Sequence, residues 1–357
     1  MNTAEKIESI RRKFGKKLLI LGHHYQKEDV ILHTDLRGDS FQLSAAAAEK
    51  TDCEYIVFCG VHFMAETADI LANRQEQIAV RAGKQSEVLI PDLEAGCPMA
   101  DLADMSQVDQ CWKELAKTID ISEITPITYV NSKAELKAFC GRNGGYACTS
   151  TNARAVLERA LSERPRVLFL PDQHLGRNTA FKMGISLDEM PVWSPSIIGG
   201  GVSAEQLREA KIILWNGYCG VHQKFMPEQI DRIREEYPGI QVIVHPECRF
   251  EVVQKADFAG STSMILSTIE KAPANSKWAV GTEWRMVERL IHLYPDKFIC
   301  NLAPEKCLCE TMNLITPENL LRSLESIETG RPQYVVQVDP AIAPDALVCL
   351  QRMLSCK

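Results

Sequence analysis

The chain runs Asn216-Gly217-Tyr218-Cys219-Gly220-Val221-His222 directly after the apolar run Lys211-Ile212-Ile213-Leu214-Trp215, which predicts a short buried strand. The two glycines allow a sharp turn at the end of this strand. A cysteine and a histidine therefore emerge together at a strand tip, where α/β proteins place their chemistry. A lone cysteine in such a position is most often a buried structural thiol. This one stands out because comparable segments occur twice more in the chain.

The same order of segments appears three times. Each copy has a polar residue at a strand tip, then a hydroxyl residue before a helix, then a second strand tip and finally a cysteine. The corresponding residues are His23, Ser40 and Cys97 in the first copy, Asn131, Ser150 and Cys219 in the second, and His245, Thr262 and either Cys307 or Cys309 in the third. Internal repeats of this kind indicate a repeated structural unit.

Strands that alternate with helices predict parallel βαβ units. We therefore predict an α/β fold of three small three-layer α/β/α domains with parallel sheets, in a pseudo-threefold arrangement around a central active site. The predicted domains are residues 1–125, 126–212 and 213–316, followed by a C-terminal helix and tail at 317–357. Residues 101–125 lack a strand pattern and are interpreted as an insertion in the first domain.

The composition of the chain excludes some classes of function. The 357 residues carry a net charge of −7, and the chain has neither a basic run nor an apolar segment of membrane-spanning length. Nucleic acid and membranes are thus poor partners, and a cytoplasmic location is expected. Thirteen cysteines are unusual there, because a reducing compartment and an odd count argue against a disulfide framework. Metal or cluster binding becomes a leading hypothesis.

Three cysteines that are far apart in sequence do not resemble the local pairs of a structural zinc site. Three thiolates from three units suit a [4Fe–4S] cluster, which soft sulfur ligands favour. Such a cluster would keep one iron without a protein ligand, and that iron could act as a Lewis acid. Spacing alone does not decide between Cys307 and Cys309 as the third ligand.

The polar strand tips also have a functional interpretation. Hydroxyl residues at helix starts are usually plain caps, but three that face one cleft would cradle phosphate or carboxylates. Histidines and strand-end residues are most often structural, but several titratable groups at equivalent strand ends could move protons in a multistep condensation. These groups are His23, Tyr25, His222, His245 and Glu247.

Several motifs together resemble one known family, the quinolinate synthases, and in particular their longer-chain class. The matching segments run in order from about residue 18 to about residue 316: Gly22-His23-His24-Tyr25-Gln26, Gly38-Asp39-Ser40, Gly60-Val61-His62-Phe63-Met64-Ala65-Glu66-Thr67-Ala68, Tyr129-Val130-Asn131-Ser132, Pro171-Asp172, Trp215 to His222, His245-Pro246-Glu247-Cys248 and Gly260-Ser261-Thr262. Members of this family are iron–sulfur enzymes of de novo NAD biosynthesis.

The resemblance implies a condensation of iminosuccinate (iminoaspartate) with dihydroxyacetone phosphate, which yields quinolinate, phosphate and water. It implies one [4Fe–4S] cluster held by Cys97, Cys219 and Cys309. Cys309 is preferred to Cys307 because the family's last ligand precedes a methionine by three residues, here Met312. L-Aspartate oxidase or aspartate dehydrogenase is implied as the functional partner that supplies iminosuccinate.

The resemblance further implies roles for individual side chains. Tyr25 and Glu247 correspond to the acid/base groups, and His222 is expected to line the same cavity as a third catalytic residue. The implied substrate contacts are His23, Ser40, Tyr129, Asn131, Ser150, His245, Glu247 and Thr262. The segment 101–125 and the Cys307-Leu308-Cys309 sequence are features of the longer class, in which Cys307 could be a redox partner of Cys309.

Two rival functions remain open at this stage. A radical iron–sulfur enzyme of the diphthamide-synthesis type also gathers one cysteine from each of three α/β domains, but it would need an S-adenosylmethionine pocket. A cluster-bearing or zinc-bearing sensor protein is the alternative from a different class. Metal and sulfide analysis separates the sensor from the enzymes.

Overall fold

The computed structural model describes residues 1–50 and 52–356, which form three sheets with helices packed against them. The α/β class that the sequence predicts is confirmed. The strands of the first sheet lie in the spatial order Val335–Val336, Glu87–Leu89, Tyr55–Cys59, Leu18–His23 and Leu36–Gly38. Those of the second follow as Tyr146–Cys148, Ile124–Tyr129, Arg166–Leu170, Ile212–Trp215 and Val192–Trp193. Those of the third are Phe258–Ala259, Gln241–Val244, Lys277–Gly281 and Phe298–Asn301.

The three sheets share one topology, and each defines a unit. In the first and third units the chain makes a first strand, crosses to a short strand on one side of it, and then returns to lay two more strands on the other side. The second unit follows the same order but has a third strand, Val192–Trp193, at that edge. All of these pairs are parallel. The chain therefore lays its strands first to one side of the first strand and then to the other. In α/β sheets, ligands bind outside the carboxyl ends of the strands at the point where this direction reverses. The sequence repeat is therefore a repeat of structure.

Helices fill the layers on the sheet faces. Their bounds are Thr3–Phe14, Glu28–Ile31, Ser40–Glu49, His62–Ala72, Gln75–Val80, Pro98–Asp101, Met105–Leu115, Ala134–Arg142, Ala153–Glu163, Gln173–Lys182, Ala204–Glu209, Pro227–Glu236, Phe250–Lys255, Thr262–Lys271, Trp284–Leu293, Pro317–Glu328 and Ala343–Ser355. None of the helices in the described residues is long and apolar enough to cross a bilayer.

The central strands are buried on both faces, as a parallel sheet covered by helices requires. Every residue of Leu18–His23 and of Ile124–Tyr129 is buried. Full burial of a Leu or Ile side chain contributes roughly 1.5–3 kcal/mol. The continuous apolar runs in the sequence are therefore the reason that these segments become central strands.

The C-terminal segment ties the first two units together. Val335–Val336 joins the first sheet as its antiparallel edge strand, while the helix Ala343–Ser355 packs on Ala134–Arg142 of the second unit. Gly141 permits this close approach, because a Cβ there would collide with the carbonyl oxygen of Asp345. The tail is thus part of the fold.

Some boundaries differ from the sequence prediction. Strand Ile212–Trp215 pairs with Arg166–Leu170, so the second sheet extends past the predicted boundary at residue 212. The predicted insertion 101–125 holds the helix Met105–Leu115 and the start of strand Ile124–Tyr129. Five short strands were not predicted, because two or three residues carry too little periodicity. They are Leu36–Gly38, Tyr146–Cys148, Val192–Trp193, Phe258–Ala259 and Val335–Val336.

Candidate active site

An enclosed cavity lies where the carboxyl ends of the three sheets converge, and we call it the inner cavity. It has a volume of about 60 Å³. Its lining consists of His23, Tyr25, Asp39, Ser40, Val61, Phe63, Met64, Cys97, Met99, Tyr129, Asn131, Ser150, Cys219, Val221, His245, Glu247, Thr262, Cys309, Thr311 and Met312. Eleven of these twenty residues are polar, and the other nine are apolar side chains or cysteines. Polar groups that converge within a partly apolar wall are typical of a ligand site.

Each unit contributes to this cavity from three equivalent places. The first strand delivers His23, Asn131 or His245 at its carboxyl end. The short neighbouring strand leads to Ser40, Ser150 or Thr262, and the last parallel strand of the unit in chain order is followed by Cys97, Cys219 or Cys309. The parallel arrangement brings these tips to one end of every sheet, so that residues far apart in sequence become neighbours.

The structure brings together twelve of the thirteen site residues named from the sequence, all of them in the lining of the inner cavity. His222 is the exception. It is buried behind the wall, where its ring stacks on that of His245 at a centroid distance of 4.5 Å. His222 therefore reaches the cavity through its neighbours, although the resemblance had placed it in the lining.

The helix starts differ from the sequence prediction. Asp39, rather than Ser40, caps Ser40–Glu49 by accepting from the backbone N–H of Gln42. In the third unit the cap is the hydroxyl of Ser261, which directly precedes Thr262. In the second unit Asn152 occupies the cap position, but its side chain donates to carbonyl oxygens near the C-terminus instead. The hydroxyls of Ser40 and Ser150 are therefore not needed as caps.

The three cavity cysteines are close enough to influence one another. Burial, with a smaller contribution from the nearby Cys309, raises the pKa of Cys97 to about 12. Burial likewise raises the pKa of Cys219 well above its ordinary value, with Glu247, Cys97 and Cys309 adding to the effect. The thiols are thus protonated in the metal-free protein, and a metal group must displace protons to bind.

This donor set fits an iron–sulfur cluster. Three soft sulfur ligands converge from three separate units onto one partly apolar cavity. Cys307, by contrast, is fully buried in the core of the third unit and directs its thiol at the carbonyl oxygen of Glu305. The structure thus places Cys309, but not Cys307, in the cavity wall.

A second group of donors could hold a single metal ion. Ligand atoms of Cys219, His222 and Glu247 all lie within 4.8 Å of one another. One sulfur, one nitrogen and one oxygen would suit zinc. Such an ion would use one of the three cavity cysteines and leave Cys97 and Cys309 without a role.

Glu247 is the main negative charge of the cavity. Its Oε2 lies 2.7 Å from Nδ1 of His222 and 3.5 Å from Nδ1 of His245. Burial alone would raise its pKa, but His245, His222 and the hydroxyl of Tyr129 together lower the pKa to about 2. Burial lowers the pKa of His245 to about 3, so that this imidazole stays neutral.

Asp172 is a second buried carboxyl group near Glu247, and its pKa is shifted in the opposite direction. Burial and the negative charge of Glu247 raise the pKa of Asp172 well above its ordinary value. One of its oxygens caps the helix Gln173–Lys182 by accepting from the N–H of Leu175 at 2.7 Å. Two carboxyl groups whose pKa values are driven apart are typical of acid–base sites.

A chain of contacts connects Tyr25 with Glu247. The Tyr25 hydroxyl lies 2.8 Å from Oγ1 of Thr282, which in turn lies 3.3 Å from Nε2 of His222. On the other side of the ring, Nδ1 of His222 lies close to Oε2 of Glu247. The two atoms are not aligned for a hydrogen bond. Burial raises the pKa of Tyr25 well above its ordinary value, so that the phenol is neutral and can donate a proton.

Sequence reasoning missed several polar residues of this region, and two of them make contacts between units or along the acid–base chain. Thr282 follows strand Lys277–Gly281 of the third unit, and Asp39 precedes Ser40. Both stand at strand tips of the repeated unit, so the repeat itself was the available signal. They were passed over because one threonine or one helix-capping aspartate is an ordinary structural residue.

A larger and more open space, which we call the outer cleft, lies beside the inner cavity. Its volume is about 860 Å³, and Ser150 lines both spaces. Among the described residues of its lining, Arg37, Arg154 and Lys182 are cationic, and none is acidic. The outer cleft therefore presents positive charge on a protein whose net charge is −7.

Comparison with known proteins agrees with this architecture. A family model described as Quinolinate synthetase A protein matches residues 5–355. The quinolinate synthase of Rhodopirellula baltica is 51% identical over 354 residues, which is 99% of this chain and 90% of the relative. That of Bacillus subtilis is 51% identical over 350 residues, covering 98% of this chain and 92% of the relative. That of Bacillus velezensis is 50% identical over 358 residues, with 99% and 94% covered.

Proposed function

The chain belongs to the quinolinate synthase family, and we propose that it condenses iminosuccinate with dihydroxyacetone phosphate to give quinolinate, phosphate and water. The single observation that carries this proposal is the convergence of three cysteines, one from each unit, on a cavity that also holds a connected acid–base chain. An enzyme that supplies iminosuccinate, such as L-aspartate oxidase or aspartate dehydrogenase, would be its functional partner.

Cys97, Cys219 and Cys309 would hold a [4Fe–4S] cluster, since they are the sulfur donors that line the cavity. When bound, the cluster supplies an iron without a cysteine ligand as a Lewis acid for a substrate oxygen or nitrogen. The apolar side chains of Phe63, Met64 and other lining residues limit the access of water to this point.

Neutral donors, rather than cations, would bind the anionic substrates in the inner cavity. His23 and His245 are buried and have lowered pKa values, so that each offers one ring N–H without a positive charge. Ser40, Ser150 and Thr262 stand where helices begin, and N–H groups and hydroxyls together suit phosphate and carboxylate groups. Hydrogen bonds to a charged group are among the strongest available in a buried site.

Tyr25 and Glu247 would move the protons. Tyr25 faces the cavity as a neutral phenol and can donate its proton to a leaving group or substrate atom. To act as a base it must first lose that proton, and the Thr282 hydroxyl offers a path to Nε2 of His222. A small rotation of the His222 ring would align Nδ1 with Glu247, which stabilises the resulting imidazolium as the carboxylate does in Ser-His-Asp enzymes.

The test is anaerobic purification of the wild type and of Cys219→Ser, followed by iron, sulfide and zinc analysis and by an assay for quinolinate from both substrates. We expect the wild type to contain iron and sulfide and to form quinolinate, and the variant to lose both. Cys300→Ser is the matched control, because Cys300 is also half-buried but does not line the cavity.

Two outcomes would contradict the proposal. Folded protein that contains zinc but no sulfide would favour a single ion at Cys219, His222 and Glu247, and hence the sensor hypothesis. Iron and sulfide with turnover that requires S-adenosylmethionine would favour the radical enzyme.

A further inference from the structure

One carboxylate connects all three units at the edge of the inner cavity. Oδ1 of Asp39 accepts from the backbone N–H of Gln42 and so caps a helix of its own unit. Oδ2 accepts from the hydroxyl of Thr151 in the second unit at 2.7 Å and from the hydroxyl of Ser263 in the third unit at 2.7 Å. Asp39 itself is 4% exposed. The two oxygens of this side chain therefore have separate tasks, one inside its unit and one between units.

These contacts span the wall between the two spaces. Asp39 lines the inner cavity, whereas Thr151 and Ser263 line the outer cleft. Immediate chain neighbours of these residues, namely Ser40, Ser150 and Thr262, line the inner cavity as well. A path from the outer cleft to the inner cavity therefore passes through the place where the three side chains meet.

The volumes indicate that the inner cavity must enlarge to hold a ligand. Sites for small molecules commonly have about 300–1,000 Å³. The outer cleft, at about 860 Å³, is within that range, but the inner cavity, at about 60 Å³, is far below it. The structure is thus closed around the candidate chemistry and open outside it.

We propose that Asp39 is a latch between the outer cleft and the inner cavity, and that small dianionic substrates collect in the outer cleft and enter when the latch opens. The proposal rests on the proposed function for the identity of those substrates. Opening separates Asp39 from Thr151 and Ser263, and an arriving phosphate or carboxylate group can accept hydrogen bonds from the two released hydroxyls.

The charges around the latch support this order of events. Arg37, Arg154 and Lys182 give the outer cleft a positive lining that raises the local concentration of anions. Asp39 places a negative charge at the inner end of the cleft while the latch is closed. An anion therefore gathers outside the latch and replaces the carboxylate at the hydroxyls when it enters.

The test uses alkylation of cysteines in the full-length protein purified without its metal. The alkylation rate of Cys219 measures access to the inner cavity. The alkylation rate of Cys307, in the core of the third unit, measures any general loss of packing. Asp39→Asn weakens the contacts between units while it retains a good helix cap. Thr151→Ala with Ser263→Ala removes the same contacts without any change to that cap.

Asp104→Asn is the matched control, since Asp104 also caps a helix and accepts from a hydroxyl, but within a single unit. We expect iodoacetamide to alkylate Cys219 about tenfold faster in Asp39→Asn and in the double variant, with the Cys307 rate unchanged. The control should match the wild type. Equal Cys219 rates in all four proteins would overturn the latch, and so would an equal acceleration of Cys307 in both latch variants.

A second experiment tests whether anions reach the inner cavity through the outer cleft. Lys182→Glu should slow the alkylation of Cys219 by anionic iodoacetate about threefold relative to neutral iodoacetamide, because the anion must cross the outer cleft. An unchanged ratio would place the access route elsewhere. Neither arm requires turnover, so a failure to form quinolinate would count against the proposed function and leave the latch result interpretable.

Discussion

The inner cavity and the outer cleft are adjacent, but their polar side chains differ in charge. In the inner cavity the histidines are neutral, the thiols and tyrosines keep their protons, and Glu247 is negative. The outer cleft has exposed cations and no acidic residue in the described part of its lining. Under the proposed function, charge would gather ligands where water screens it, and oriented neutral donors would bind them where water is excluded.

The difference has a clear physical reason. A buried ion without a partner is costly, and the group usually shifts its pKa and becomes neutral instead. Exposed cations carry no such penalty, but salt screens them. Residues of the inner cavity should therefore determine the chemical step, and those of the outer cleft should determine how often a substrate arrives.

Replacement of a cavity cysteine should have the largest effect. We expect Cys309→Ala to lose its iron and all measurable quinolinate formation. Cys307→Ala, two residues away but in the core of the third unit, should retain iron and activity. Iron analysis and product formation check this, and activity in Cys309→Ala or its loss in Cys307→Ala would reverse our assignment of the ligand.

Thr282→Val should have the next largest effect, because it removes the hydroxyl between Tyr25 and His222 at nearly constant side-chain volume. We expect kcat to fall by about 10²–10³, within the range for general acid–base groups, while KM changes little. Thr282→Ser retains a hydroxyl and should recover most of the rate. Equal loss in both variants would show that Thr282 acts through packing.

The third prediction concerns stability below neutral pH. The pKa of His245 is about 3 in the folded protein against an ordinary 6.5. Between these values the unfolded chain binds a proton that the folded protein does not, so the free energy of unfolding falls as the pH falls below 6.5. From His245 we expect a loss of about 2 kcal/mol at pH 5.

Urea unfolding of the wild type and of His245→Asn at pH 7.5 and pH 5 measures this loss. The variant lacks the imidazole, so the stability difference between the two proteins should shift in favour of the variant by about 2 kcal/mol at the lower pH. A constant difference would mean that His245 takes up its proton at the same pH in the folded protein as in the unfolded chain.

The outer cleft should give the smallest effect. We expect Arg37→Gln to lower kcat/KM a few-fold at low ionic strength and to leave kcat unchanged. The difference from the wild type should disappear at about 0.5 M salt, where exposed charges are screened. A fall in kcat, or an effect that persists in salt, would place Arg37 in the chemical step.

The sequence predicted the fold class because its main strands are continuous apolar runs, such as Arg166–Leu170 and Gln241–Val244. It also predicted the repeat, since each run ends in a polar residue or a cysteine. It did not predict the two- and three-residue edge strands, which exist because a neighbouring strand offers backbone partners. Tertiary pairing, rather than local pattern, determines such segments.

Some residues of the candidate site were harder to predict from the sequence than others. Cys219 and His245 stand out by type and by position at strand tips. Thr282 and Asp39 are common residues whose importance depends on partners in other units. His222 was expected in the cavity lining but lies behind it, because the turn after Cys219 directs it toward Glu247.

The edge strand Val335–Val336 has a consequence for synthesis on the ribosome. The other strands of the first sheet are translated early, yet its antiparallel edge partner and the helix Ala343–Ser355 are translated only after the strands of the other two sheets. Until then Glu87–Leu89 has an unpaired edge, and the carboxylate of Asp69 lacks the Val338 N–H that it binds in the folded chain. The unit that is translated first is therefore completed after the strands of the other two sheets have been made.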